Sequence, residues 1–224
     1  MQKKINIAID GPAGAGKSTV AKLLAKQLQY VYIDTGAMYR ALTYIALQND
    51  IDLNHGEKLA ELLEKYPLKL VYENDKMQIY IGANNVTEEI RSEHVTNHVP
   101  KVASHREVRK KMLHLQRKLA ANGGTVMDGR DIGTHVLPDA EVKIFLTASV
   151  DERARRRHEE NLKNGLPSNL QKIKEDIVER DEMDMTRKEA PLKKAEDAIE
   201  IDSTNLAIDD VVEKILTIVK ERIS

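Results

Sequence analysis

The sequence has no cysteine and no tryptophan, and it carries one phenylalanine among 224 residues. Without cysteine there is no disulfide framework, no thiolate zinc site, no iron–sulfur cluster and no cysteine nucleophile. No apolar run approaches the length of a membrane span. An excess of charge is missing too: 35 Lys+Arg face 36 Asp+Glu, a formal net charge of -1. That balance excludes a uniformly basic chain that coats nucleic acid, though not a local basic patch. What is there, 41% hydrophobic and 32% charged residues, suits a folded globular chain. The length fits one large domain, or one domain with an insert. The start Met1-Gln2-Lys3-Lys4 is basic, but the apolar stretch Ile5–Ile9 is interrupted by Asn6 and too short for a signal peptide. A soluble cytoplasmic protein with no membrane partner is expected.

Periodicity organises the rest. Ile5, Ile7 and Ile9 read as a short β-branched strand ending at the turn Asp10-Gly11-Pro12. From Lys17, Val20, Leu23, Leu24 and Leu28 recur at helical spacing. A strand over 30–33 and a helix over 36–47 follow, a β-α-β-α order that predicts a parallel sheet. The middle differs. Leu68, Leu70 and Tyr72 alternate with polar residues, as do Met77, Ile79 and Ile81 beyond Glu73-Asn74-Asp75-Lys76. This predicts an antiparallel hairpin, which is foreign to a run of parallel crossovers, so residues 50–100 are read as an insert. The α/β rhythm then resumes. A helix carries Val108, Met112, Leu115 and Leu119; strands cover 125–127 and 142–146; helices cover 151–163 and 170–188 before Pro191. A strand over 198–201 and a helix over 208–223 complete the chain, the last with Val211, Val212, Ile215, Ile218 and Val219 as its core face.

Between the first strand and helix, Gly11-Pro12-Ala13-Gly14-Ala15-Gly16-Lys17-Ser18 fits G-x-x-x-x-G-K-[ST], followed by Thr19. Glycines let backbone N–H groups turn inward around phosphate oxygens. Lys17 can reach the β- and γ-phosphates, and the Ser18 hydroxyl can ligate Mg²⁺. The opening helix adds its positive end. The pattern implies nucleotide phosphate binding and leaves the reaction open. A regulatory GTPase needs N-K-x-D and an ABC-type ATPase needs an L-S-G-G-Q-like run; neither occurs. A small-molecule kinase remains, and it needs an acceptor site.

Arginine supplies candidates for that site: 12 of 13 lie after residue 90. Its planar fork matches phosphate in a way that a lysine point charge does not. Arg40 lies early in the helix after the second strand. Arg130 and Asp131 follow the strand ending at Asp128, and ligands of open parallel sheets bind beyond strand carboxyl ends. Asp128 is a candidate Mg²⁺ partner, directly or through water. Arg153, Arg155, Arg156 and Arg157 crowd one helix. They either pair with Glu152, Glu159 and Glu160, or belong to a mobile lid whose tip is Asn164-Gly165-Leu166-Pro167. A nucleic-acid patch is disfavoured, because aromatics are not interleaved. Arg180, Asp184 and Arg187 fall on one helix face, where a carboxylate flanked by arginines suits the N4 amine of cytosine and repels O4 of uracil. His94 and His98 are spaced for a metal but lack a third ligand at motif spacing, so structural roles are expected.

The runs Ile9–Thr19, Asp34-Thr35-Gly36-Ala37-Met38-Tyr39-Arg40, Glu89-Ile90-Arg91, Asp128-Gly129-Arg130-Asp131-Ile132-Gly133-Thr134, Phe145–Ser149, Glu179-Arg180-Asp181 and Asp202-Ser203-Thr204 resemble the bacterial cytidylate kinases over nearly the whole chain. The resemblance implies an α/β, P-loop NTPase-type parallel sheet flanked by helices, with an inserted α+β monophosphate-binding subdomain and a helical lid. It places the core at 1–49 and 101–224, the lid at about 153–168 and the insert at 50–100. It implies transfer of the γ-phosphoryl of ATP to CMP or dCMP with Mg²⁺, by a monomer that takes no nucleic acid. Thr35, Arg40, Arg109, Arg130, Asp131, Arg180, Asp184 and Arg187 are then acceptor contacts. Lys17, Arg130, Arg153 and Arg157 are expected at the transferring group, and residues 11–19 on ATP. Some members carry Ser where Pro100 falls. Proline has neither hydroxyl nor N–H, which removes the ground for a direct cytosine contact there. UMP, a non-nucleotide acceptor such as shikimate, or a non-catalytic nucleotide-dependent binding module are the alternatives.

Overall fold

The computed structural model describes residues 4–73 and 76–223. Met1-Gln2-Lys3 and Asn74-Asp75 of the expected hairpin turn lie outside the described residues. In chain order the elements are β1 (Asn6–Asp10), α1 (Lys17–Leu28), β2 (Val31–Asp34), α2 (Thr35–Gln48) and α3 (Gly56–Lys65). Next come β3 (Leu68–Glu73), β4 (Lys76–Ile81), β5 (Asn84–Asn85), a 3₁₀ turn (Glu89–Arg91), α4 (Glu93–Ala103) and α5 (Arg106–Ala120). Then follow β6 (Thr125–Gly129), a π-helical turn (Ile132–Val136), β7 (Val142–Thr147), α6 (Val150–Lys163), α7 (Leu170–Thr186), β8 (Ile199–Asp202) and α8 (Ile208–Ile223). Two compact units result: one runs up to Val31 and resumes at Gly123, the other is Tyr32–Asn122.

The first unit holds the parallel sheet, with β6, β1, β7 and β8 side by side. Ile9 is in register with Asp128 on one side and Ile144 on the other. Both faces are covered, so β1 is apolar without alternation, and Ile7, Ala8 and Ile9 are buried. On α1 the buried positions are Lys17, Val20, Ala21, Leu24 and Ala25. On α8 they are Val211, Val212, Ile215, Leu216 and Val219, with Ile218 half-buried. β1 stops where Gly11 adopts φ +146°, and a Cβ there would lie 2.0 Å from the Leu146 carbonyl oxygen. Only glycine permits both the turn and that approach. The helices α6 and α7 form a hairpin with a small core of its own, Ala154, Ile173 and Ile177 against Val150.

In the second unit Asp34 caps α2, its Oδ1 accepting from Ala37 N at 2.8 Å. The expected hairpin is β3–β4, antiparallel with Leu70 opposite Ile79, and β5 adds a short third strand. This unit is wider than residues 50–100, because α2 and α5 pack with α3 and α4 inside it. α4 continues past Pro100 to Ala103. Its buried Val95, Val99, Val102 and Ala103 keep helical spacing, and the Ser92 side chain caps it. On α5 the buried face is Val108, Arg109, Met112, Gln116 and Ala120. Leu119, expected on that face, is exposed. His98 Nδ1 lies 2.7 Å from the His94 carbonyl oxygen, an arrangement within the helix.

Candidate active site

The loop between β1 and α1 puts the Lys17 ammonium back over its own backbone, donating to the Pro12 carbonyl at 2.6 Å. Lys17 is buried. Burial first, and then the Arg130 charge, push its pKa well below the usual lysine range, against the pull of Asp128, Asp10 and Asp184. An arriving polyphosphate would reverse that balance by favouring the charged form. Gly16 closes the loop at φ 89° and opens α1. At the second residue of α1, Ser18 Oγ donates to Asp128 Oδ2 at 2.9 Å. Asp128 is at the end of β6, in register with Ile9 of β1. A hydroxyl and a carboxylate held together at a strand end form the oxygen donor set that suits Mg²⁺ bound with a nucleotide.

Asp10, the last residue of β1, was not singled out from sequence. Its two oxygens accept from Ile132 N at 2.8 Å and Gly133 N at 2.7 Å, fixing the π-helical turn after Arg130-Asp131. Burial raises its pKa to about 7, with Asp131 adding to the rise and the two backbone bonds and Lys17 opposing it.

The arginines and carboxylates of α7 meet this turn. Arg130 Nε donates to Asp184 Oδ2 at 2.8 Å, and its Nη1 to the Gly129 carbonyl at 3.2 Å. Arg187 Nη1 lies 3.7 Å from Asp184 Oδ1, and its Nη2 donates to Asp131 Oδ1 at 3.3 Å. Burial alone would raise the Asp184 carboxyl, but Arg130, Arg180 and Arg187 together hold it below the ordinary value. Arg180, Asp184 and Arg187 were expected on one continuous helix. Instead α7 ends at Thr186, and Arg187 caps it in an extended conformation, folding back onto the Ala190 carbonyl at 2.6 Å.

The arginine cluster on α6 splits. Arg155 pairs with Glu152 and Glu159, and Arg156 with Glu152 and with Ser203. Arg153 is 3% exposed and donates to the carbonyls of Ala148 and Ala13 and to Asp181, so its fork is engaged with protein. Arg157 is exposed.

In the Tyr32–Asn122 unit, Thr35 opens α2 and is buried. Arg40 Nη2 donates to Asp34 Oδ2 at 3.0 Å. Arg109 of α5, also buried, donates to the Ala103 carbonyl and stands 5.9 Å from the centroid of the Tyr39 ring, within cation–π reach. Thr35, Arg40 and Arg109 thus gather around the first turns of α2. Asp34 and Tyr39, which orient the two arginines, stand in the same short run and were not assigned roles from it.

The cytidylate kinase family model matches residues 7–221. A cytidylate kinase of Anoxybacillus flavithermus is 59% identical over all of this chain and 99% of its own length. Another, of Bacillus cytotoxicus, is 58% identical over 99% of this chain and 98% of its own. The chain belongs to the cytidylate kinase family. It is therefore a phosphotransferase. Among solved structures, an uncharacterized protein from Eubacterium ventriosum shares the fold, with TM-score 0.53 and 15% identity, covering 98% of this chain and 99% of that one. No helix among the described residues is long and apolar enough to cross a membrane.

Proposed function

We propose that this cytidylate kinase family member transfers the γ-phosphoryl group of ATP to CMP or dCMP, giving ADP and CDP or dCDP. One observation carries the reading: Lys17, Ser18–Asp128 and Arg130–Asp184 collect at the carboxyl ends of adjacent parallel strands. That is where an open α/β sheet binds its ligand. Residues 11–19 cradle the ATP phosphates, and Lys17 exchanges the Pro12 carbonyl for phosphate oxygens. Mg²⁺, held through Ser18 and Asp128, would neutralise phosphate charge. Arg130 and Arg157 supply further positive charge at the transferring group. Asp131, Arg180, Asp184 and Arg187 are the acceptor contacts of the unit that carries the phosphate loop, and Thr35, Arg40 and Arg109 are those of the Tyr32–Asn122 unit. The segment of about 153–168 acts as the lid, moving about the anchored Arg153 at its root.

The acceptor phosphate is already anionic, so a strong general base is not required. Catalysis by positioning and charge neutralisation suffices, in a direct in-line transfer. A lid that excludes water suppresses hydrolysis of ATP. The reading includes a monomer working in the cytoplasm on free nucleotides.

Coupled ADP release with a panel of acceptors tests it. CMP and dCMP are expected to exceed UMP, AMP and shikimate by at least tenfold in kcat/KM. Equal rates with UMP or AMP would reject the cytosine reading, and ATP binding without any acceptor turnover would point to a binding module.

A further inference from the structure

A loop that turns its N–H groups inward to phosphate turns carbonyl groups outward, and where these are buried they need donors of their own. Here each comes from a different source. Lys17 Nζ serves Pro12, Arg153 Nη1 serves Ala13 at 3.0 Å, and Ser203 Oγ divides its one proton between the carbonyls of Thr147 at 3.0 Å and Ala15 at 3.3 Å. Arg156 in turn holds Ser203, donating to its hydroxyl at 3.1 Å and its carbonyl at 2.6 Å. Arg153 uses all sides of its fork: Nε to the Ala148 carbonyl at 2.9 Å and Nη2 to Asp181 Oδ2 at 2.6 Å. Its stem also packs on the loop. A Cβ on Gly14, which sits at φ +78°, would come within 3.2 Å of Arg153 Cβ. A lysine has three donors too, but on a single nitrogen, and it lacks the planar fork that reaches these three separately placed acceptors.

We propose that Arg153 and Asp181 are positioning residues for the phosphate loop. Arg153 clamps the Ala13 carbonyl from outside and so sets the direction of the inward N–H groups. Asp181 orients the guanidinium and ties the clamp to α7, the helix that carries Asp184. The root of the α6–α7 hairpin thereby holds the loop in its phosphate-binding form. The inference rests on the reading that residues 11–19 bind ATP phosphates, and not on the identity of the acceptor.

The test measures binding of a fluorescent ATP analogue, steady-state kinetics for both substrates and unliganded melting in Arg153→Lys, Asp181→Asn and the double variant. Arg153→Lys is expected to raise the analogue Kd and the KM for ATP about tenfold. The acceptor KM should change less than twofold and kcat less than threefold. Asp181→Asn should act in the same direction but more weakly, and the double variant should be no worse than Arg153→Lys. Lowered melting with an unchanged analogue Kd, equal effects on both substrates, or additive losses would each overturn the proposal. Should Arg153→Lys fail to fold, an unchanged analogue Kd in folded Asp181→Asn would still do so. If the wild type binds the analogue but does not phosphorylate CMP, the proposed reaction fails while the clamp remains readable from binding.

Discussion

Asp184 and Asp10 are both buried carboxylates, yet their surroundings push them in opposite directions. Asp184 is kept ionised by Arg130, Arg180 and Arg187 despite its burial. As an acceptor-only group it discriminates between an amine and a carbonyl on a base edge. Asparagine presents both an acceptor and a donor, so Asp184→Asn should lower the CMP:UMP ratio of kcat/KM by about tenfold, the worth of one hydrogen bond to a charged group. An unchanged ratio would leave Asp184 with only the task of holding Arg130. Asp10 is pushed up to about 7, chiefly by burial. Its folded value lies above the unfolded value of about 4, so the folded protein holds the proton more tightly. The associated stability is present below about pH 4 and is lost as pH rises through about 7. The melting temperature of the wild type relative to Asp10→Asn should therefore fall between pH 5 and pH 8. A pH-independent difference between the two would refute this titration.

At the scale of elements, the α6–α7 hairpin stands out for how little it buries: Ala154, Ile173 and Ile177 form its core, while Leu162, Leu166, Leu170 and Val178 are exposed. Few buried apolar contacts mean a low free energy of local opening. Amides of residues 160–172 should exchange with deuterium faster than those of β1 and β7, and ATP together with CMP should slow them. Exchange as slow as in the sheet without nucleotide would argue against a lid that opens. The elements that sequence made visible are those whose periodicity is set locally: the β-branched strands of the sheet, the alternating β3–β4 hairpin and the long amphipathic helices. α4 was not read from the sequence, and in the structure burial of Val95, Val99 and Val102 carries the helix across Pro100. The end of α7 was placed late because Arg187 continues the spacing of Arg180 and Asp184 while its backbone has already turned extended. Lys17 and Ser18 were legible because phosphate binding concentrates its residues in one loop. Asp181 and Ser203 were not, since the donors and acceptors they meet lie 28 and 188 residues away.

Over the whole molecule, the near-zero net charge is assembled from local pairs rather than spread evenly. Arg155 and Arg156 share Glu152, Arg130 holds Asp184, Arg153 holds Asp181, Arg40 holds Asp34 and Lys143 holds Asp197. A surface that binds nucleic acid without sequence preference needs several cations free to meet successive phosphates and release their counterions. The α6 arginines, the densest basic cluster in the chain, answer mainly to carboxylates and to Ser203 instead. The charges of Arg153, Arg155 and Arg156 are thereby offset within a few ångströms, and the exposed Arg157 is what this helix offers to compact, highly charged ligands. Single-stranded oligonucleotides should therefore bind no more tightly than about 10⁻⁴ M at physiological salt, the weak end of non-specific binding. Fluorescence anisotropy with a labelled oligonucleotide, repeated across salt concentrations, measures this directly. Micromolar binding with a steep salt slope would show that the α6 arginines leave their carboxylates for phosphates, and would return the cluster to the nucleic-acid reading that their pairing argues against.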